Sequence, residues 1–308
     1  MSAKKIQYYI QYSVLIILIS FLFIGGPQLY DSRSIKKIWD LGHIILFALM
    51  FFIILRDLNW LHKKKLAIQF IIIIVVTIVL GIIIEWVQLI IGRTSEFIDI
   101  WRNVIGTLIA FVYSKKFRKL KRYQINIARI VVSLLVIVAV FPLIKVLIDE
   151  VQAQQDFPII ADFENPFEIE KWYGKSYVSI NDSIVFHGKH SLKAELITTK
   201  YSGISISFFP SDWSHYKFLK FNVYNPYHES FPLTCRVHDK KHNNHFNDRL
   251  NRTYIFIPGW NEIIIELDDV RNAPENRLMN MKEIKNFALF AVQLKENKTI
   301  YFDYMRLE

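Results

Sequence analysis

Long apolar runs confined to the first half of this 308-residue chain decide what it can fold into. The runs over 8–24, 38–55, 66–91 and 127–148 are each long enough to cross roughly 30 Å of hydrocarbon as a helix rising about 1.5 Å per residue. Unpaired backbone is costly in lipid, so such runs read as helices and a lipid bilayer is the expected partner. The charges divide in the same way. Residues 1–150 hold 19 Lys/Arg against 8 Asp/Glu, and residues 151–308 hold 19 against 20. The basic excess therefore belongs to the apolar half, where loops flanking membrane helices carry it, and no nucleic acid is needed to explain it. Cys235 is the only cysteine, which excludes an intrachain disulfide and a Cys-based zinc cluster.

A further crossing is expected over 98–117, although only 104–113 is continuously apolar and Asp99, Arg102 and Asn103 precede it. Crossing there keeps the basic N-terminus, the 56–65 loop and the 115–122 loop on one side, which the bias of basic loops makes the cytoplasmic one. Four spans plus a re-entrant hairpin is the alternative. The first run reads as an uncleaved anchor, because no Ala-x-Ala site is evident and further spans follow. Five spans in residues 1–150 place everything after about Asp149 outside a bacterial-type cytoplasmic membrane.

From Phe157 onward the pattern changes to short alternating runs rich in aromatic and β-branched residues, at 177–180, 203–209, 218–224, 233–237, 254–257, 262–267, 287–292 and 299–304. Period-two alternation at this spacing, with turn signals at Asn225-Pro226 and Pro258-Gly259, predicts an all-β antiparallel jelly-roll sandwich over 155–308. The whole is then a multi-domain chain: a helical transmembrane bundle followed by an extracytoplasmic sandwich. Trp172, Tyr173, Trp213, Tyr216 and Trp260 are candidates for stacking on a sugar ring, against the alternative that they fill the core. His238, His242 and His245 lie in a polar stretch whose loose spacing argues for a solvated loop over a metal site.

Several pieces of this half resemble galactose-binding-like jelly rolls, which include many carbohydrate-binding modules. They are Ala161-Asp162-Phe163-Glu164, Gly188-Lys189-His190-Ser191-Leu192, Asp212-Trp213-Ser214, Pro258-Gly259-Trp260-Asn261 and Tyr301-Phe302-Asp303. The resemblance implies a structural calcium ion where the opening and final strands meet, with Asp162, Glu164 and Asp303 as its ligands.

Ionisable groups in membrane helices are costly and ask for an explanation. Asp40 and His43 share a face of the second run, Glu85 and Gln88 one face near the end of the third, and Asp99, Asn103 and Gly106 form one stripe of the fourth. The five-span topology brings all of them to the outer leaflet. Arg93 and Ser95 lie in the short polar loop beside them. An outward-facing pocket for a lipid-linked or glycan head group is one reading, and a hydrogen-bonded network pinning three helices is the other. Asp40-x-x-His43, Glu85-x-x-Gln88, Gly92-Arg93-Thr94-Ser95, Asp99-x-x-x-Asn103 and Gly106, taken as an ordered set over roughly 36–113, resemble the VanZ-like membrane domain. That resemblance implies a cell-envelope protein linked to resistance against glycopeptide antibiotics such as teicoplanin, and supplies no biochemical activity.

Three functions stand at this point: an envelope membrane protein with a head-group pocket and a carbohydrate-binding outer domain, a membrane-anchored glycan-binding module without chemistry in the bundle, and an intramembrane metal-dependent hydrolase. The last has His43 as the only histidine on the three polar helices, short of the two-His patterns of catalytic zinc. No P-loop, dinucleotide fingerprint or Ser/His/Asp signature is present.

Overall fold

The computed structural model describes residues 3–23, 32–92 and 96–308. The chain forms two compact units, Met1–Ile144 and Lys145–Glu308.

The first unit is helical: α1 (Ala3–Phe21), α2 (Arg33–Asp57), the short α3 (Asn59–Lys63), α4 (Leu66–Ile90), α5 (Phe97–Val112) and the start of α6 (Arg122–Asp156). Three of these, α2, α4 and α6, are long and apolar enough on their own to cross a membrane. The expectation of five comparable spans is not met. The first expected span falls on α1, 19 residues long, and its last position, residue 24, lies outside the described residues. The fourth falls on α5, whose 16 residues rise only about 24 Å and whose first two turns carry Asp99 and Arg102.

Both short helices nevertheless reach both ends of the α2–α4 hairpin. On α1, Gln11 accepts from Arg56 and the Tyr12 hydroxyl donates to Asp57 at 2.8 Å, while at the opposite end the Gln88 amide donates to the Leu22 carbonyl at 3.0 Å. On α5, Asn103 meets His43 of α2 and Thr107 meets Thr77 of α4 at 2.7 Å. Just beyond α5, Lys116 donates to the His62 carbonyl at 2.9 Å.

The buried stripe of α4 is Gln69, Ile73, Thr77, Gly81, Glu85 and Gln88, at the three- and four-residue spacing of one helix face. The opposite side exposes Ile71, Val75, Ile82, Trp86 and Leu89, so the helix is more polar inside than out. Gly106 lets α5 close on α2. A Cβ there would lie 2.9 Å from the Ala48 nitrogen and 3.0 Å from the Phe47 Cβ.

The second unit is an antiparallel β-sandwich. One sheet runs β3 (Ser176–Asn181), β4 (Ser191–Leu196), β11 (Lys298–Leu307), β6 (Phe218–Asn225), β9 (Gly259–Glu266), with β1 (Ile159–Ala161) added on β11. The other runs β2 (Trp172–Tyr173), β5 (Tyr201–Ile206), β10 (Ile284–Val292), β7 (Phe231–Asp239), β8 (Leu250–Phe256), and a short helix α7 (Leu267–Asn272) follows β9. All eight expected strands overlap observed ones. The inner β4 was not expected: Leu192, Ala194 and Leu196 alternate into the core, but Lys193 and Glu195 between them have weak strand preference. The core holds Trp213, Phe221, Phe287 and Phe302, and it encloses Cys235, whose thiol burial pushes well above its usual range.

The last turns of α6 belong to this unit. Asp149 accepts from the Asn165 amide at 3.0 Å and pairs with Lys171 at 3.3 Å, both charged groups being buried. Beside them Glu168 accepts from the Phe163 amide at 2.8 Å with one oxygen and leaves the other buried without a partner. Burial pushes its carboxyl up to about 8, although Lys171 acts in the opposite sense. The folded state therefore holds a proton that the unfolded chain releases near its ordinary carboxyl range, and stability falls as pH rises between that range and about 8. Thermal unfolding of the full chain in detergent should show Glu168→Gln matching the parent near pH 5 and exceeding it by several degrees at pH 8.5; equal melting temperatures at the higher pH would refute this.

Candidate functional site

Two polar sites stand out, one in each unit. The first lies where α2 and α5 begin and α4 ends. Asp40, His43, Glu85, Gln88, Asp99 and Asn103, the polar residues that the sequence singles out on three helices, are all buried. His43 Nδ1 lies 3.0 Å from Asn103 Oδ1, and His43 Nε2 lies 3.6 Å from Asp99. Arg93 and Ser95, expected beside them, lie outside the described residues. The cation found among the carboxylates is Arg102, which pairs directly with Asp99, lies 3.5 Å from Asp40, and reaches Glu96 at 3.9 Å. Lys37 stands 3.7 Å from Asp40 and Lys36 bonds Glu96 at 3.2 Å.

Helix ends explain part of this placement. Asp99 sits in the first turn of α5, where free amides and the helix dipole favour an anion. Glu85, near the unfavourable end of α4, is offset by the Glu96 backbone amide donating to it at 2.8 Å. Among the described residues, Asp40 Oδ2, Glu85 Oε1 and Asn103 Nδ2 are buried without a hydrogen-bond partner. Sequence reasoning missed Arg102 as a member of the site, yet its signal was present in the three-residue step from Asp99, which puts both groups on one helix face.

In the sandwich, the carboxylates expected to share a calcium ion serve the backbone instead. Asp303 accepts from the amides of Phe186 and His187 at 2.8 and 3.0 Å, and Glu164 from those of Lys189 and His190 at 2.6 and 2.9 Å. Asp162 accepts from the Glu164 amide at 3.2 Å. Among the described residues no group of three or more His, Cys, Asp or Glu is arranged to hold a metal ion. The histidine stretch is likewise held by hydrogen bonds: Arg277 forks onto Asp239 and Asp248, and His242 meets the Asp248 carbonyl at 2.9 Å. Paired with Arg277, the Asp248 carboxyl drops to about 2.

Of the expected stacking residues, Trp172 and Trp213 are core. Trp172 packs on Phe163 and Phe302, and Trp213 on Phe209. Trp260 is half-buried in an aromatic row with Phe186 and Tyr224. Tyr216 packs edge-on against Phe157.

Tyr173 alone of the five lies on the outer face of the second sheet, and that face is the second site. Its phenol lies 2.9 Å from the Ser207 hydroxyl and accepts from the Asn286 amide at 2.9 Å. Asn286 also donates to Ser205 at 3.0 Å and accepts from Arg236 at 3.1 Å. Cross-strand register sets Gly203 opposite Phe290, and Ala288 between Ser205 and Arg236, so the middle of the face has a floor of small residues. Tyr201 and Tyr173 rise from it about half exposed, and the Tyr201 ring meets Phe290 edge-on at 5.9 Å. Sequence reasoning missed Asn286, Ser205 and Arg236, although outward alternation in β7 and β10 carried the signal. A cavity of about 380 Å³ adjoins β8, walled by Arg249, Asn251, Arg252, Asp269 and Glu275 among others.

Neither a protein-family model nor a curated protein matches the chain. Among solved structures it is similar to a family 11 carbohydrate-binding module from Clostridium thermocellum in complex with a β-1,3-1,4-mixed-linked tetrasaccharide. That similarity covers 48% of this chain and 93% of the module, at 16% identity and a TM-score of 0.37. A family 30 carbohydrate-binding module of a Clostridium thermocellum cellulosomal cellulase is similar over 45% of this chain and 91% of its own, at 9% identity and a TM-score of 0.34. An exo-β-agarase is similar over 49% of this chain at 16% identity and a TM-score of 0.40, and the chain spans only 24% of that enzyme.

The bundle site yields a stability test. Removing Arg102 leaves Asp40 and Asp99 buried without their shared cation, a loss of about 3–5 kcal/mol. Arg102→Met should lower the melting temperature in detergent markedly, and adding Asp40→Asn and Asp99→Asn should recover most of the loss. An unchanged melting temperature in the single variant would show that the cluster is not what holds the three helices.

Proposed function

We propose that this is a membrane-embedded protein of the cell envelope that holds a saccharide on the outer face of its second sheet. The observation that carries this reading is the combination on one face of a small-residue floor, two half-exposed tyrosines and an amide-hydroxyl network centred on Asn286. A sugar ring presents an apolar side that stacks on an aromatic ring and a rim of hydroxyls that both donate and accept, and this face offers partners for each. Full-length protein in nanodiscs, screened against immobilised envelope and plant polysaccharides, should capture at least one of them. Tyr201→Ala should weaken that capture roughly tenfold, the scale of one aromatic contact. Failure to bind any polysaccharide sinks the reading.

The membrane half is proposed to follow the five-crossing topology, with the N-terminus cytoplasmic and the sandwich outside. The bonds that α1, and α5 together with the turn after it, make at both ends of the α2–α4 hairpin support it. Sidedness is testable with a cysteine at Asn243, because Cys235 is fully buried and contributes no background in a Cys235→Ser chain. Asn243→Cys should react with an impermeant thiol reagent on whole cells; reaction only after lysis would overturn the topology.

The VanZ-like resemblance supports a link to glycopeptide resistance, and the buried Glu85 and Asn103 atoms that make no hydrogen bond among the described residues support a second role for the bundle end as a head-group site. The dense ion pairing around Arg102 favours the helix-pinning network as its first role.

A further inference from the structure

The second unit contains six arginines, at 236, 249, 252, 271, 277 and 306. Four are paired with carboxylates: Arg252 with Asp269 at 2.8 Å, Arg271 with Asp268 at 2.7 Å, Arg277 with Asp239 and Asp248, and Arg306 with Glu262 and Glu308. Among the described residues Arg236 and Arg249 pair with no carboxylate, and they lie on the same sheet face. Arg236 stands in mid-β7 opposite Asn251, on the side away from the core residues Cys235 and Val237. Arg249 directly precedes Leu250, which pairs with Val237, so it falls beside His238 on that outer side.

Arg236 bonds only the neutral amide oxygen of Asn286 and lies 6.0 Å from the Phe290 ring, while Arg249 lies 5.6 Å from the Phe246 ring. The Nε of each is buried without a hydrogen-bond partner. Burial first and then Arg249 hold Arg236 below its ordinary range, and burial does the same to Arg249. Two half-buried like charges held close with no acid between them destabilise the sandwich. The fold pairs its other four arginines, so this arrangement calls for a compensating anion from outside.

We infer that the saccharide held on this face is anionic, its carboxylate or phosphate groups lying between Arg236 and Arg249. The planar guanidinium forks match either group through paired N–H donors, and the exposed Tyr173 and Tyr201 rings remain for the sugar. This deepens the saccharide-binding reading and rests on it.

The test compares three polymers on full-length protein in detergent by biolayer interferometry: polygalacturonate, its fully methyl-esterified form, and a poly(glycerol phosphate). At least one anionic polymer should bind tenfold or more tightly than the ester, with an affinity that falls as salt rises. Arg236→Gln and Arg249→Gln should each remove most of that advantage, bringing binding of the acid toward that of the ester. The two anionic arms separate a carboxylate ligand from a phosphate one. The comparison of acid with ester on the parent protein stands even if a variant fails to fold. Equal binding of ester and acid, with the phosphate polymer no better, overturns the anionic assignment and leaves the saccharide reading standing. Absence of binding to all three, together with a negative polysaccharide screen, overturns both.

Discussion

The bundle depends on a buried guanidinium. Arg102 lies between α2 and α5, paired with Asp99 of its own helix and within 3.5 Å of Asp40 on α2. An isolated buried charge is expensive, and a cluster with balancing partners is the arrangement that tolerates it. The interactions around it follow from that need: Lys36 and Lys37 at the rim, the Glu96 amide on Glu85, and His43 bridging Asp99 and Asn103. Below the cluster the packing becomes close and dry. Gly106 meets α2, and Thr77 and Thr107 bond across α4 and α5 in a water-poor setting where neither hydroxyl could stay unpaired.

Much of this was legible in the sequence because the membrane simplifies the code. A polar residue in an apolar run has few reasons to be there, and Asp40, His43, Glu85, Gln88, Asp99 and Asn103 were found on that ground. Arg102 was harder, since an arginine at the start of a short apolar segment reads equally as the flanking charge that ends a helix. The expected fourth span is shorter than the sequence suggested: α5 has 16 residues, and the chain meets the His62 carbonyl only through Lys116, beyond the helix end.

The sandwich was legible as a class and less so as a site. Alternation located eight strands, but a tryptophan's identity says nothing about which side of the sheet it faces. Trp172 and Tyr173 are neighbours in β2, so one is buried on Phe302 and the other is exposed on the outer face. The carboxylates at Glu164 and Asp303 show the same ambiguity. Anions near strand ends suit a cation or a row of backbone amides equally well, and here the 186–190 segment supplies the amides.

The floor of the second sheet's outer face has a mechanical implication. Gly203, Ser205 and Ala288 have side chains of two heavy atoms at most, so the depth there is fixed by hydrogen-bonded backbone and cannot be adjusted by rotamer changes. Discrimination on such a surface would be geometric and rigid: a guest either matches the contour or is refused, and a methyl group added at Ala288 would redraw the contour for every guest alike.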